Sequence, residues 1–295
     1  MRVGVSVGTA ENLSVVLEQT RVASRAGLDC LTIGDHHVTG PSAYLQNVPT
    51  LGRLLAEWDS RPAGCLFLLP LWHPVLMAEQ VGTLATLATG PFIVQIGSGS
   101  GRQQFYGMGV QLADRRRFMD EAIPLVQALL CGEEVSSATW NIEGACIAPL
   151  PARGLEWWIG GGTPATVDRA ARLGDCWYAN ADIVPKTARR LLDVYREACV
   201  RYERVPVRLP IRRDVFIAES QAEAERIGNA LMEAGYRGFT RDAVAYGDPE
   251  NVADQLSVYG QLGFTDIIIR TMTAPPAAAA RSMELAGEVH ALLAQ

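Results

Sequence analysis

An acid and two adjacent histidines, Asp35, His36 and His37, directly follow the short apolar run LTIG. Imidazole titrates near neutrality, so a histidine at the end of a buried strand suits proton transfer or hydrogen bonding to a reacting group. The same side chains can ligate a metal. Adjacent residues on an extended segment point in opposite directions, however, and neither HxH nor HExxH spacing occurs anywhere in the chain, so the trio is read as an acid/base or binding group and no metal site is assigned. A polar loop without chemistry is the remaining alternative.

Two glycine-rich stretches carry the second kind of chemistry. In IGGGTPATVDRAARLG, Gly160, Gly161 and Gly162 let the backbone approach a ligand closely. A helix starting at Pro164 with Thr163 as N-cap would offer free N–H groups and its positive dipole end to an anion such as a phosphate. The pattern is not the GxGxxG dinucleotide fingerprint, and a glycine turn that only packs strand against helix reads the same way. In QIGSGSGRQQFYGMG, Gly97, Gly99 and Gly101 permit irregular backbone over a flat ligand, with Ser98, Ser100 and Arg102 as donors; a hinge leading into an insertion is the alternative.

These stretches gain meaning from the elements that must hold them. Eight short apolar runs alternate with helical patterns, beginning at Arg2, Asp29, Gly64, Phe92, Glu156, Asp175, Leu209 and Asp266. That rhythm predicts parallel strands with crossover helices, and 295 residues suit one α/β domain over 1–295, a (β/α)8 TIM barrel, with an open doubly wound sheet as the alternative. The rhythm breaks twice, after strands four and seven, which places insertions at about 100–153, including a small hairpin, and at about 235–250. TAPPAAAARS reads as the start of the last helix. In a barrel the functional loops follow the C-terminal strand ends, so GDHH, SGSGRQQ and GGGTP converge on one opening. Trp157 and Trp158 alternate, one inside the barrel and one under a helix, and Trp72 and His73 fall near the mouth.

Composition narrows the function classes. With 48% hydrophobic and 20% charged residues the chain is a core-forming globular protein, and its net charge of −6 argues against a nucleic-acid footprint. Arg115, Arg116 and Arg117 form the densest basic cluster and read as a solvated helix start. Six cysteines without a CxxC pair suggest buried thiols rather than a disulfide framework or zinc ribbon. There is no signal-like leader and no apolar run long enough for a membrane span, so a cytoplasmic protein is expected.

The order and spacing of IGDHH, LPLWHPVLMAEQVGTLATLATGPFIVQIGSGSG, WWIGGGTPATVDRAARLGDCWY and GDPENVADQLSVYGQLGFTDIIIR resemble the bacterial luciferase-like flavin monooxygenases, a superfamily that also holds reductases using the deazaflavin F420. The resemblance implies a flavin at the carboxyl ends of the strands, its phosphate at Gly161, Gly162 and Thr163 and near Ser98, where luciferases carry an arginine; Arg102 is the substitute here. It implies a non-proline cis peptide at Gly64–Cys65, forming a bulge under the flavin ring. Asp35, His36 and His37 match the luciferase acid-His-His, with His36 catalytic and its two neighbours orienting it. F420 dehydrogenases usually place a tryptophan at the position of Gly40, and some place a catalytic glutamate at that of Ser100. Gln104 stands where many relatives carry an acid. These departures favour reduced FMN with O2 and a partner flavin reductase, acting on a small organic substrate, over F420 hydride transfer or a non-catalytic flavin-binding protein. The family often forms homodimers.

Overall fold

The computed structural model describes residues 1–10, 12–272 and 276–295. The chain runs β1 (Arg2–Val7), α1 (Leu13–Arg25), β2 (Leu31–Ile33), α2 (Asn47–Leu54), β3 (Ala63–Leu68), α3 (Pro74–Leu87) and β4 (Phe92–Gly97). After β4 come α4 (Arg102–Gly107), α5 (Arg115–Leu130) and an antiparallel hairpin of β5 (Val135–Ser137) and β6 (Ile142–Ala145). The regular rhythm resumes with β7 (Leu155–Gly161), α6 (Pro164–Leu173), β8 (Cys176–Ala179), α7 (Pro185–Arg201), β9 (Pro210–Ile217) and α8 (Gln221–Glu233). β10 (Val244–Gly247), α9 (Pro249–Leu262), β11 (Asp266–Thr271) and α10 (Pro276–Leu293) complete it. Thr273 to Pro275, where the sequence suggests the start of the last helix, lie outside the described residues.

The strands close into an eight-stranded parallel barrel in the order β1, β2, β3, β4, β7, β8, β9, β11, returning to β1; the Ala179–Ile211 pairing joins β8 to β9. The eight expected runs are the eight barrel strands. β10 is an addition that the polar-looking 235–250 stretch concealed. It pairs in parallel with the outer half of β9, Val244 opposite Asp214 through Gly247 opposite Ile217. Helices begin and end on ordinary local chemistry: Asn12 accepts from the Val15 N–H at 3.1 Å at the head of α1, and Gly27 takes a φ of +73° just beyond its end.

Alternation along the strands separates two packed zones. Alternate positions along each strand, such as Val3, Val5, Leu31, Ile33, Val94 and Ile96, pack outward against the helices, while Cys30, Ile93, Trp158, Cys176 and Ile268 fill the barrel interior. Trp158 is therefore the inner tryptophan and Trp157 the outer one. All six cysteines are free; Cys30, Cys65, Cys176 and Cys199 are buried as expected, but Cys131 and Cys146 are exposed, because they lie at the end of α5 and just after β6, on the rim of the first insertion.

The Gly64–Cys65 bond is trans, contrary to the expected cis bulge: among the described residues the cis bonds are Gly40–Pro41 and Ala148–Pro149. β3 runs in unbroken register from Ala63 opposite Phe92 to Leu68 opposite Gly97, which leaves no bulge to accommodate a cis bond. Glycine is needed at 64 for a different reason. A Cβ there would drive into the Ile93 carbonyl on the neighbouring strand. Cys65 points outward into the fully buried layer beneath the helices, so neither residue reaches the mouth.

Candidate active site

β2 carries the histidine pair to the mouth, and alternation divides the trio. Gly34 and His36 share one face: a Cβ at Gly34 would stand 3.4 Å from His36 Nε2. The His36 ring tilts against Tyr44, centroids 4.2 Å apart, and its backbone carbonyl accepts from Gln46 Nε2 at 2.9 Å. Asp35 and His37 turn the other way, toward the end of β3. Asp35 Oδ2 accepts from the Leu68 N–H and from Trp72 Nε1, both at 2.8 Å, and His37 Nε2 lies 3.3 Å from the same oxygen and 3.2 Å from Oδ1. The expected orienting contact of Asp35 and His37 on His36 is replaced by this anchor, which fixes the β2 loop to β3 and holds His36 only through the backbone.

His36 sits in a positive field. Burial is the main cause that lowers its pKa, from the ordinary 6.5 to about 4; Arg270 lowers it further, Asp35 opposes, and Arg212 and Arg237 add to the lowering. The ring is thus neutral at pH 7, an acceptor at one nitrogen and a donor at the other. Because the folded-state value lies below the unfolded one, the folded chain binds fewer protons between about 4 and 6.5, so stability rises with pH across that window. It is complete above pH 6.5 and lost as the pH falls toward 4. Denaturant unfolding at several pH values should show this slope in the native protein and a shallower one in His36→Gln.

The floor of the mouth is lined by residues without side chains. Gly97 ends β4 with Leu66 and Leu68 packed 3.2 and 3.3 Å from where its Cβ would be. Gly160, level with Tyr178, lies against the Ile96 carbonyl. Beneath them Gln95, 3% exposed, has an Nε2 with no partner among the described residues. A buried orphan donor under a glycine-lined space fits a planar ring with hydrogen-bonding edges such as a flavin's. Gly162 and Thr163 lead into α6, where Asn180 Nδ2 stands 3.0 Å from the Cβ position of Gly162. These N-terminal groups and Asn180 could hold a phosphate. Gly161 has a packing role instead: it is buried, a Cβ there would strike the Thr166 side chain, and its carbonyl accepts from Trp177 Nε1 at 2.9 Å. Thr163 donates its N–H to Thr166 Oγ1 at 3.0 Å.

The loop after β4 is irregular as expected, with Gly99 at φ +64°. Gln104 folds back over it, its Nε2 3.0 Å from the Cβ position of Gly101, and the Ser98 hydroxyl lies against the Gly99 carbonyl. Arg102 is exposed and stacks on Tyr106 at 5.7 Å, on the outer side of α4. No group of three or more His, Cys, Asp or Glu suited to a metal comes together among the described residues.

Sequence reasoning missed the charged wall opposite the glycines. Arg212 and Asp214 on β9 share the inner face with Ile268 and Arg270 of β11, their register partners. Asp214 is fully buried and takes Arg212 Nε and Nη2 at 3.0 and 2.8 Å, Arg237 Nη1 at 3.4 Å and the Tyr236 hydroxyl at 2.9 Å. Burial pushes its carboxyl up but is outweighed by Arg212, Arg237 and Arg270, so it stays below its usual value. The neighbouring Arg213 faces outward, donating to the Ala181 carbonyl and stacking on Tyr259 at 4.0 Å. The signal lies in the alternation of IRRDVF and IIIR, which sets Arg212, Asp214 and Arg270 on one face toward the strand ends.

Comparison with known proteins agrees with this fold. An F420-dependent glucose-6-phosphate dehydrogenase of Beutenbergia cavernae is 27% identical over 89% of both chains. Among solved structures, the monooxygenase RslO1 of Streptomyces bottropensis superposes with a TM-score of 0.85 at 18% identity, covering 98% of each chain. The oxygenating constituent of 3,6-diketocamphane monooxygenase from Pseudomonas putida, in complex with FMN, superposes at 0.82 and 17% identity over 99% of this chain and 98% of that one. The family model described as luciferase-like monooxygenase matches residues 1–245, and the chain belongs to that family.

Proposed function

We propose that this enzyme is a flavin-dependent monooxygenase that receives reduced FMN from a separate flavin reductase and uses O2 to oxygenate a small organic substrate. The observation that carries this reading is the position of His36, just past the end of β2 and in alternation with the inward-facing Cys30, at a barrel mouth whose floor is formed by Gly97 and Gly160. Reduced FMN would supply the two electrons that activate O2. Gly97, Gly160 and Gln95 would receive the ring, and Gly162, Thr163 and Asn180 the phosphate. His36 would hydrogen-bond the reacting group and accept or return a proton, while the Asp35 anchor keeps it in place. Leu66, Leu68 and Tyr44 would limit water at the reacting centre. A cytoplasmic homodimer suits this role; among the described residues no helix is long and apolar enough to cross a membrane.

Hydride transfer with F420 is the second reading, and the Beutenbergia relative favours it. Gly40 and Ser100, which replace the tryptophan and glutamate of F420 enzymes, count against it. Anaerobic titration of the cofactor-free protein with reduced FMN and reduced F420, followed by admission of oxygen, separates the two. Tight binding of reduced FMN, with oxygen consumption that responds to substrate, is expected. Binding of F420 alone would reverse the order.

A further inference from the structure

Three guanidinium groups and one carboxylate face the mouth on the β9 and β11 side, a formal excess of two positive charges. Arg270 is the register partner of Asp214, the acid it would ordinarily pair with. Both oxygens of Asp214 are already taken by Arg212, Arg237 and Tyr236. Arg270 makes no ion pair or hydrogen bond among the described residues, and its head swings instead across the end of β1. There Gly8 leaves it room: a Cβ would come within 3.3 Å of Nη2 and 3.7 Å of Nε. The neighbouring turn is built at a conformational cost, with left-handed backbone at Gly235, Arg237 and Gly238, and only the arginine among them lacks glycine's freedom. Arg212 and Arg270 are half-buried and Arg237 is exposed, so this excess of cationic charge is only partly shielded and remains open to an anion at the mouth.

We propose that Arg270, supported by Arg212 and Arg237, binds an anionic group of the substrate, a carboxylate, phosphate or sulfonate oxyanion, and places it beside His36. This deepens the oxygenase reading and rests on the barrel mouth being the reaction site. β11 lies three strands around the barrel from β7, so this wall is separate from the Gly162–Thr163 turn. The planar, multiply donating guanidinium suits all three oxyanions, and a bound anion would offset the field that Arg270 exerts on the imidazole.

That coupling supplies a test independent of turnover. The charged and titratable groups acting on His36 are Asp35 at its own strand end, Tyr44 in the following loop, Arg212 from β9, Arg237 from the 236–238 turn and Arg270 from β11. The His36 imidazole is titrated by NMR in the cofactor-free protein, with and without inorganic phosphate, sulfate or acetate, and flavin affinity is measured in parallel. Saturation with one of these ions should raise the His36 pKa by about one unit. Arg270→Gln should raise it without any anion and abolish the response, while Arg270→Lys retains it. The ranking of the three ions identifies the oxyanion class. The proposal is overturned if no ion moves His36 in the native protein, if the response persists undiminished in Arg270→Gln, or if that variant loses flavin affinity about tenfold, a change large enough to assign the guanidinium to the flavin. Should the anion response hold while no flavin binds, the oxygenase reading falls and the anion site stands.

Discussion

Replacing His36 with alanine is expected to lower product formation about a hundredfold or more while leaving flavin affinity within about twofold, the range typical of losing a positioned acid/base group. The asymmetry follows from placement. His36 stands at the mouth against Tyr44, on the face shared with Gly34, whereas the groups suited to the flavin ring and phosphate come from β4, β7 and the loops after β7 and β8. Stability near neutral pH should change little, because Asp35 anchors the loop without using the His36 ring. His36→Asn, which keeps a hydrogen-bonding head but cannot titrate, divides the two roles: recovery of most turnover would assign His36 to hydrogen bonding, and no recovery to proton transfer. Turnover with a fixed supply of reduced FMN, set beside anaerobic flavin titration, measures both quantities. Unchanged turnover in His36→Ala would remove His36 from the chemistry.

The barrel was legible because parallel strands buried on both faces read as continuous apolar runs, and VGVSV, FIVQIG and DIIIR need no partner to be recognised. β10 was not, since VAYG is four residues long between polar neighbours and exists as a strand only through β9. The same limit applied at the site. Alternation alone sets His36 apart from Asp35 and His37, but what Asp35 holds could not be read, because Leu68 and Trp72 are 33 and 37 residues away. Gly64 was correctly singled out and wrongly explained: a position that excludes a side chain looks alike in sequence whether a bulge, a ligand or the Ile93 carbonyl demands it. Arg270 lay outside the notable motifs because an arginine after the run III is unremarkable until Asp214 is seen to be fully committed elsewhere.

Asp35 offers the sharpest contrast to His36, because its removal should damage the fold first. The side chain is fully buried, and one oxygen, Oδ2, receives both the Leu68 N–H and Trp72 Nε1. Asp35→Ala strands one buried and one partly buried donor and leaves a cavity at the junction of β2 and β3, a loss of about 3 kcal/mol in unfolding free energy. Asp35→Asn is predicted to cost only about 1 kcal/mol, since the amide oxygen can take the Oδ2 position and serve both donors while the amide nitrogen faces His37. Chemical denaturation of the three proteins tests the order. The alanine variant should also lose turnover, because the loop that carries His36 is then tied to β3 by less, and the asparagine variant should retain most of it. An orienting role for Asp35 through direct contact with His36 predicts the reverse pattern, in which both substitutions reduce turnover alike and neither lowers stability by more than about 0.5 kcal/mol, the ordinary scatter of substitutions that disturb nothing buried.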